Sequence, residues 1–219
     1  MDTTMTAGAP VHHHAHHFQT ADQEFQASKL GIWLFLVTEV LLFGGLFMAY
    51  TVVRTFHPEM FTEAHHHLSI PMGATNTLVL IFSSLTMALS IRAAQLNNRK
   101  QTVLFLAITL ACAGMFLVIK YFEYSAKFHH GLLPGKYFTA ASEFSAPGAH
   151  LFFGIYFLMT GLHGLHVIFG MVAIIWVLVR ANRGEFGPNY YTPVECVGLY
   201  WHLVDLIWIF LFPLLYLVG

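Results

Sequence analysis

The residues of this chain best able to do chemistry are ionisable groups inside apolar runs. Glu39 sits in Phe35-Leu-Val-Thr-Glu-Val-Leu-Leu-Phe43 with no cation within one turn. A lone charge at the centre of a membrane helix costs roughly 2.5–3.5 kcal/mol on insertion scales. Glu39 therefore reads either as a proton-linked or headgroup-bonded carboxyl, or as an acid bonded to a neighbouring helix. Lys120, Glu123 and Lys127 follow i, i+3, i+7 spacing, which puts them on one helical face where Glu123 can pair with either lysine. They read as an ion pair that snorkels toward the end of its helix. His163 and His166 lie three apart and share a face, as do His202 and Asp205. A carboxylate can orient an imidazole and select its tautomer. These four residues read as a structural polar cluster between two helices, with bis-histidine ligation of a b-type haem as the alternative. Metal sites of the CxxC or HExxH type are absent from the sequence.

The elements that carry these groups are long and apolar. The chain has 219 residues, 57% hydrophobic and only 10% charged, and a mean hydropathy of +0.63. Soluble domains carry about 25% charged residues, so the composition specifies an integral membrane protein. A net charge of −1 argues against a nucleic-acid partner. About 20 apolar residues cross a bilayer as a helix. Five stretches reach that length, at approximately 30–56, 72–95, 102–129, 148–179 and 192–218. The fold class is therefore an all-α, five-span membrane bundle, with residues 29–219 as one membrane domain. The fourth span, with Gly154, Gly161 and Gly170, is predicted to be the central packing helix. Residues 1–28, with His12, His13, His14, His16 and His17, read as a mobile polar tail, with metal binding as the alternative. Pro58–Pro71, with His65, His66 and His67, reads as a loop. Cys112 and Cys196 both lie in apolar runs, which argues against a structural disulfide.

Lys and Arg in short loops orient the bundle. Lys29, Arg92, Arg99, Lys100, Arg180 and Arg183 fall on the N-terminal side, against Arg54, Lys127 and Lys136 on the other. The expectation is an N-terminus inside and a C-terminus outside.

Five motifs carry a resemblance. Glu39 in FLVTEVLLF, Asn76-Thr77 in ATNTLVLIFSSLTMA, Glu123-Tyr124 in KYFEY, TGLHGLHVIFG, and YWHLVDLIWIFLFPLLYL resemble, in order, the signatures of subunit III of the haem–copper oxidases. The resemblance runs from about Lys29 to the C-terminus. Longer family members have seven spans, and this sequence is similar to the five that follow the first two. In those members the two parts enclose a lipid-holding cleft, so here one wall must come from another subunit or be missing.

The resemblance implies a non-catalytic subunit of an oxygen-reducing, proton-translocating oxidase in the bacterial cytoplasmic membrane. It implies no cofactor in this subunit, with haem and copper in partner subunits, and bound phospholipid. It implies packing against subunit I, with subunit II and a small subunit IV in the complex and cytochrome c as donor. Its role would be to stabilise the catalytic subunit and to support proton uptake and lipid or oxygen access. By the same resemblance, Glu39 is the carboxyl beside the lipid cleft and Arg180 meets a lipid phosphate. The alternatives are a quinol oxidase subunit III, an accessory subunit of nitric oxide reductase, and, in a different class, a standalone b-type cytochrome.

Overall fold

Thr20 starts the first helix. Its Oγ1 accepts from the Gln23 backbone N–H at 3.1 Å, and the Gln23 side chain accepts from the Gln19 N–H at 2.9 Å. This reciprocal cap is worth about 1 kcal/mol. It sets the start of α1 (Ala21–Phe56), so residues 21–28, expected to belong to a polar tail, are helical. The computed structural model describes residues 18–134, 137–139 and 148–218; the histidines at 12–17, Lys136 and most of the loop before the fourth span lie outside them.

The described chain is all-helical apart from two isolated bridges. α2 (Pro58–Ala64) is followed by a 3₁₀ turn at His65–His67, then α3 (Ile70–Gln95), α4 (Arg99–His129), α5 (Ala149–Asn182) and α6 (Thr192–Phe212), which ends in a π turn at Pro213–Leu217. Among the described residues, five helices are long and apolar enough to span a membrane: α1, α3, α4, α5 and α6 with its terminal turn. The loop expected at 58–71 is thus largely helical. Pro58 opens α2 at a position that needs no N–H, and Phe61 docks edge-on against Tyr50 and Phe152 at 5.1 and 5.2 Å.

α6, not α5, is the centre of the bundle. Half of its most apolar window is buried (50%), against 33% for α5 and 11% for α1. The reason is tryptophan. Trp201 Nε1 donates to Ser83 Oγ at 3.1 Å and Trp208 Nε1 to Thr77 Oγ1 at 3.0 Å, and both rings are fully buried. α3 closes on α4 through Thr86 and Thr109, whose hydroxyls are 2.7 Å apart. Such interhelical bonds contribute about 0.6 kcal/mol each in a bilayer.

The glycines divide by what they face. A Cβ on Gly170 lies 2.8 Å from Trp201, so this glycine permits the α5–α6 approach. Gly154 and Gly161 face nothing nearer than 3.9 Å and do not form the tight strip expected of them.

The end of the bundle at which α1 begins is tied by Lys29 and Glu195, 3.0 Å apart with side chains 33% and 21% exposed. At that exposure an ion pair is worth about 0–1 kcal/mol. Lys29→Met is accordingly expected to change the thermal stability of the purified complex by less than about 1 kcal/mol; a larger loss would mean that the pair is a principal anchor of α1.

Candidate functional site

Glu39 on α1 meets His166 on α5. Glu39 Oε2 and His166 Nε2 are 2.7 Å apart, and the side chains are 13% and 11% exposed. His166 Nδ1 lies 2.8 Å from the Leu162 carbonyl. A carbonyl only accepts, so Nδ1 carries hydrogen. The short contact to Glu39 then holds one shared proton, on the carboxyl oxygen or on Nε2. Phe43 packs edge-on against the imidazole at 5.2 Å, and Tyr200 OH donates to the His166 carbonyl at 3.0 Å. The pair forms part of the wall of a groove of about 440 Å³ whose other lining includes Ile32, Phe35, Phe169 and Val197. The chemistry available is a single transferable proton at the edge of an apolar groove.

The four residues expected to form one cluster are divided among three environments. His166 goes to Glu39. His202 Nδ1 lies 2.6 Å from Ser84 Oγ on α3. His163 is fully buried, tilted over Trp208 at 5.1 Å and edge-on to Phe116 at 5.5 Å, and neither ring nitrogen has a hydrogen-bond partner among the described residues. Asp205, 4% exposed, shares Ser84 with His202 through its side chain, while its Oδ1 has no partner among the described residues. The cluster fails because α6 turns the His202 face toward α3, while Tyr200, Trp201 and Trp208 fill the side facing α5. These imidazoles do not fit a haem. One is committed to a carboxyl, one to a hydroxyl, and the third is enclosed by aromatic rings.

Lys120, Glu123 and Lys127 come together as their spacing predicts, but they do not snorkel. They are 6%, 2% and 4% exposed. Glu123 binds both lysines at once, at 2.9 Å and 3.0 Å. Tyr156 of α5 and Tyr216 of the C-terminal turn donate to the same carboxylate at 2.8 and 2.5 Å. Sequence reasoning does not find these two tyrosines, because each is one aromatic residue within an apolar run. Arg180 Nε donates to Glu185 Oε2 at 2.6 Å, and its guanidinium stacks over Trp176 at 4.9 Å. Cys112 and Cys196 are free thiols. Among the described residues, no group of three His, Cys, Asp or Glu side chains is arranged to hold a metal ion.

The fold and site define a multi-pass membrane protein in which most buried acids and imidazoles meet polar partners on the same or a neighbouring helix, His163 being the exception among the described buried imidazoles. Residues 10–219 match the family described as Cytochrome c oxidase subunit III. The chain is similar to cytochrome c oxidase subunit 3 of Synechocystis sp., 33% identical over 221 residues that cover 100% of this chain and 84% of that protein. It is also similar to a heme-copper oxidase subunit I+III of Aeropyrum pernix, 32% identical over 87% of this chain and 22% of that protein. A third relative is the cytochrome bo(3) ubiquinol oxidase subunit 3 of Pseudomonas putida, 29% identical over 89% of this chain and 87% of that protein. The chain belongs to the cytochrome c oxidase subunit III family and is a subunit III of a haem–copper oxidase complex.

Proposed function

We propose that this chain is a non-redox, non-catalytic subunit of a proton-translocating terminal oxidase, packed against subunit I in a bacterial cytoplasmic membrane. The Glu39–His166 pair on the wall of an apolar groove carries this reading. The groove suits an acyl chain or dissolved oxygen, both of which favour apolar surroundings over water. The pair holds a proton without stranding a charge in lipid. Arg180, beside the aromatic residues at the end of the same helix, keeps N–H donors beyond the Nε committed to Glu185, and these suit a lipid phosphate.

The partner reading draws on the Aeropyrum relative, whose name joins subunits I and III in one protein. It also draws on α1, whose outer face exposes Trp33, Leu34, Val37, Leu41 and Met48 to lipid or to another subunit. Haem and copper belong to subunits I and II, with a small subunit IV completing the complex. The inward N-terminus and outward C-terminus gain support from Lys127, which is buried and drops out of the outer charge count.

In oxidase carrying Glu39→Gln, assembly is expected to be unchanged, because the amide N–H can donate to Nε2 of the neutral imidazole. Proton uptake is expected to slow and the number of turnovers before inactivation to fall. Unchanged turnover lifetime and proton uptake would remove the role of the carboxyl. Cytochrome c is the proposed donor. The ubiquinol oxidase relative favours quinol as the second reading, and a copper signal from an electron-accepting centre in the purified complex decides between them.

A further inference from the structure

The cluster around Glu123 is not electrically balanced. Its carboxylate accepts from four donors: Lys120 Nζ on Oε2 at 2.9 Å, and Lys127 Nζ, Tyr156 OH and Tyr216 OH on Oε1 at 3.0, 2.8 and 2.5 Å. Three of these donors crowd Oε1 and one meets Oε2. One negative charge cancels one of the two ammonium groups, leaving an excess positive charge among the described residues of the cluster. Lys120 spends its donors on Glu123, Tyr156 and Tyr216. Lys127 has three N–H donors, and Glu123 is its one hydrogen-bond acceptor among the described residues.

Lys127 is 4% exposed and shares its one carboxylate counter-charge with Lys120, and a buried cation that is only partly compensated is unfavourable. It lines a cavity of about 180 Å³ together with His67, Ser69 and His130. The cavity opens at the C-terminal end of α4, outside the Glu39 groove. The Lys127 ammonium only donates, and Ser69 and His130 can each turn a donor toward the same point, so the lining can hold an acceptor-only ligand. Glu123 also lines the cavity, and its carboxylate is held by both lysines. The volume admits a small anion and is too small for a phospholipid.

We propose that this cavity binds a small monovalent inorganic anion, held by the Lys127 ammonium, that balances the Lys120–Glu123–Lys127 cluster. The test uses the purified oxidase complex with bromide as the probe. In crystals grown in sodium bromide, an anomalous scattering peak is expected in the cavity within hydrogen-bonding distance of Lys127 Nζ. In solution, replacing sodium gluconate by sodium bromide at equal ionic strength is expected to raise the thermal midpoint of the wild-type complex saturably, by a few degrees. Lys127→Gln leaves one ammonium against one carboxylate, so its midpoint is expected not to respond to bromide. An empty cavity, a protein carboxylate filling it, or an equal bromide response in both proteins would overturn the proposal. Should Lys127→Gln fail to assemble, the wild-type anomalous map decides alone.

Discussion

Glu123→Ala is expected to be the most damaging single substitution in this chain, costing roughly 3–5 kcal/mol and removing most of the subunit from the purified complex. The substitution deletes one small side chain but strands four buried donors. Lys120 and Lys127 lose their shared counter-charge, and Tyr156 and Tyr216 lose their common acceptor. Two like charges then face each other in a region from which water is excluded. The triple replacement Lys120→Met, Glu123→Leu, Lys127→Met is expected to recover most of the loss, because exchanging a whole buried ionic set for apolar residues is often neutral or stabilising. The two phenols still have each other, 3.2 Å apart. Subunit content by mass spectrometry and the thermal midpoint of the complex measure both variants. If the single and triple variants fail equally, the cluster acts through something other than its charge balance.

Gly170→Val should have the second largest effect. The first added carbon would lie 2.8 Å from Cε3 and Cζ3 of Trp201. That ring is 1% exposed and tied to Ser83 by its Nε1, so it cannot retreat without breaking the α3–α6 contact. Overpacking of this kind costs about 1–3 kcal/mol. Gly198→Ala looks worse by distance, at 2.5 Å, but its neighbour is Ile91 Cδ1, the mobile end of a side chain that can turn away. Gly161→Ala has no atom nearer than 3.9 Å and should be neutral. The expected order of damage in thermal inactivation of the complex is Gly170→Val, then Gly198→Ala, then Gly161→Ala. Equal losses at 170 and 161 would mean that the α5–α6 approach does not rest on Gly170.

Several features of the site are legible in the amino-acid sequence. Glu39, Lys120, Glu123 and Lys127 stand out because ionisable groups in a bilayer must be matched, and spacing along one helix is enough to pair Glu123 with a lysine. The spacing also puts His202 and Asp205 on one face, and that face is real. What spacing cannot show is where the face points. Ser84, 118 residues away from His202, is one of many serines and threonines in the chain and carries no signal of its own. Tyr156 and Tyr216 are hidden for the same reason. They lie 33 and 93 residues from Glu123, and a tyrosine in an apolar run is indistinguishable from one at the lipid interface.

The amino-acid sequence alone determined the class of molecule, the five crossings and the expectation that buried acids and imidazoles seek polar partners. Those follow from composition and from a helical period that is the same in every helix. The tertiary structure decided the matches: Glu39 with His166, His202 with Ser84, Glu123 with two lysines and two tyrosines. It also moved the centre of the bundle from α5 to α6. Which residues share a face is set by 3.6 residues per turn, but the rotation of that face about its axis is set by how glycines and tryptophans on neighbouring helices fit together. That fit is a property of pairs of helices far apart in the chain, and it becomes visible only once they are packed.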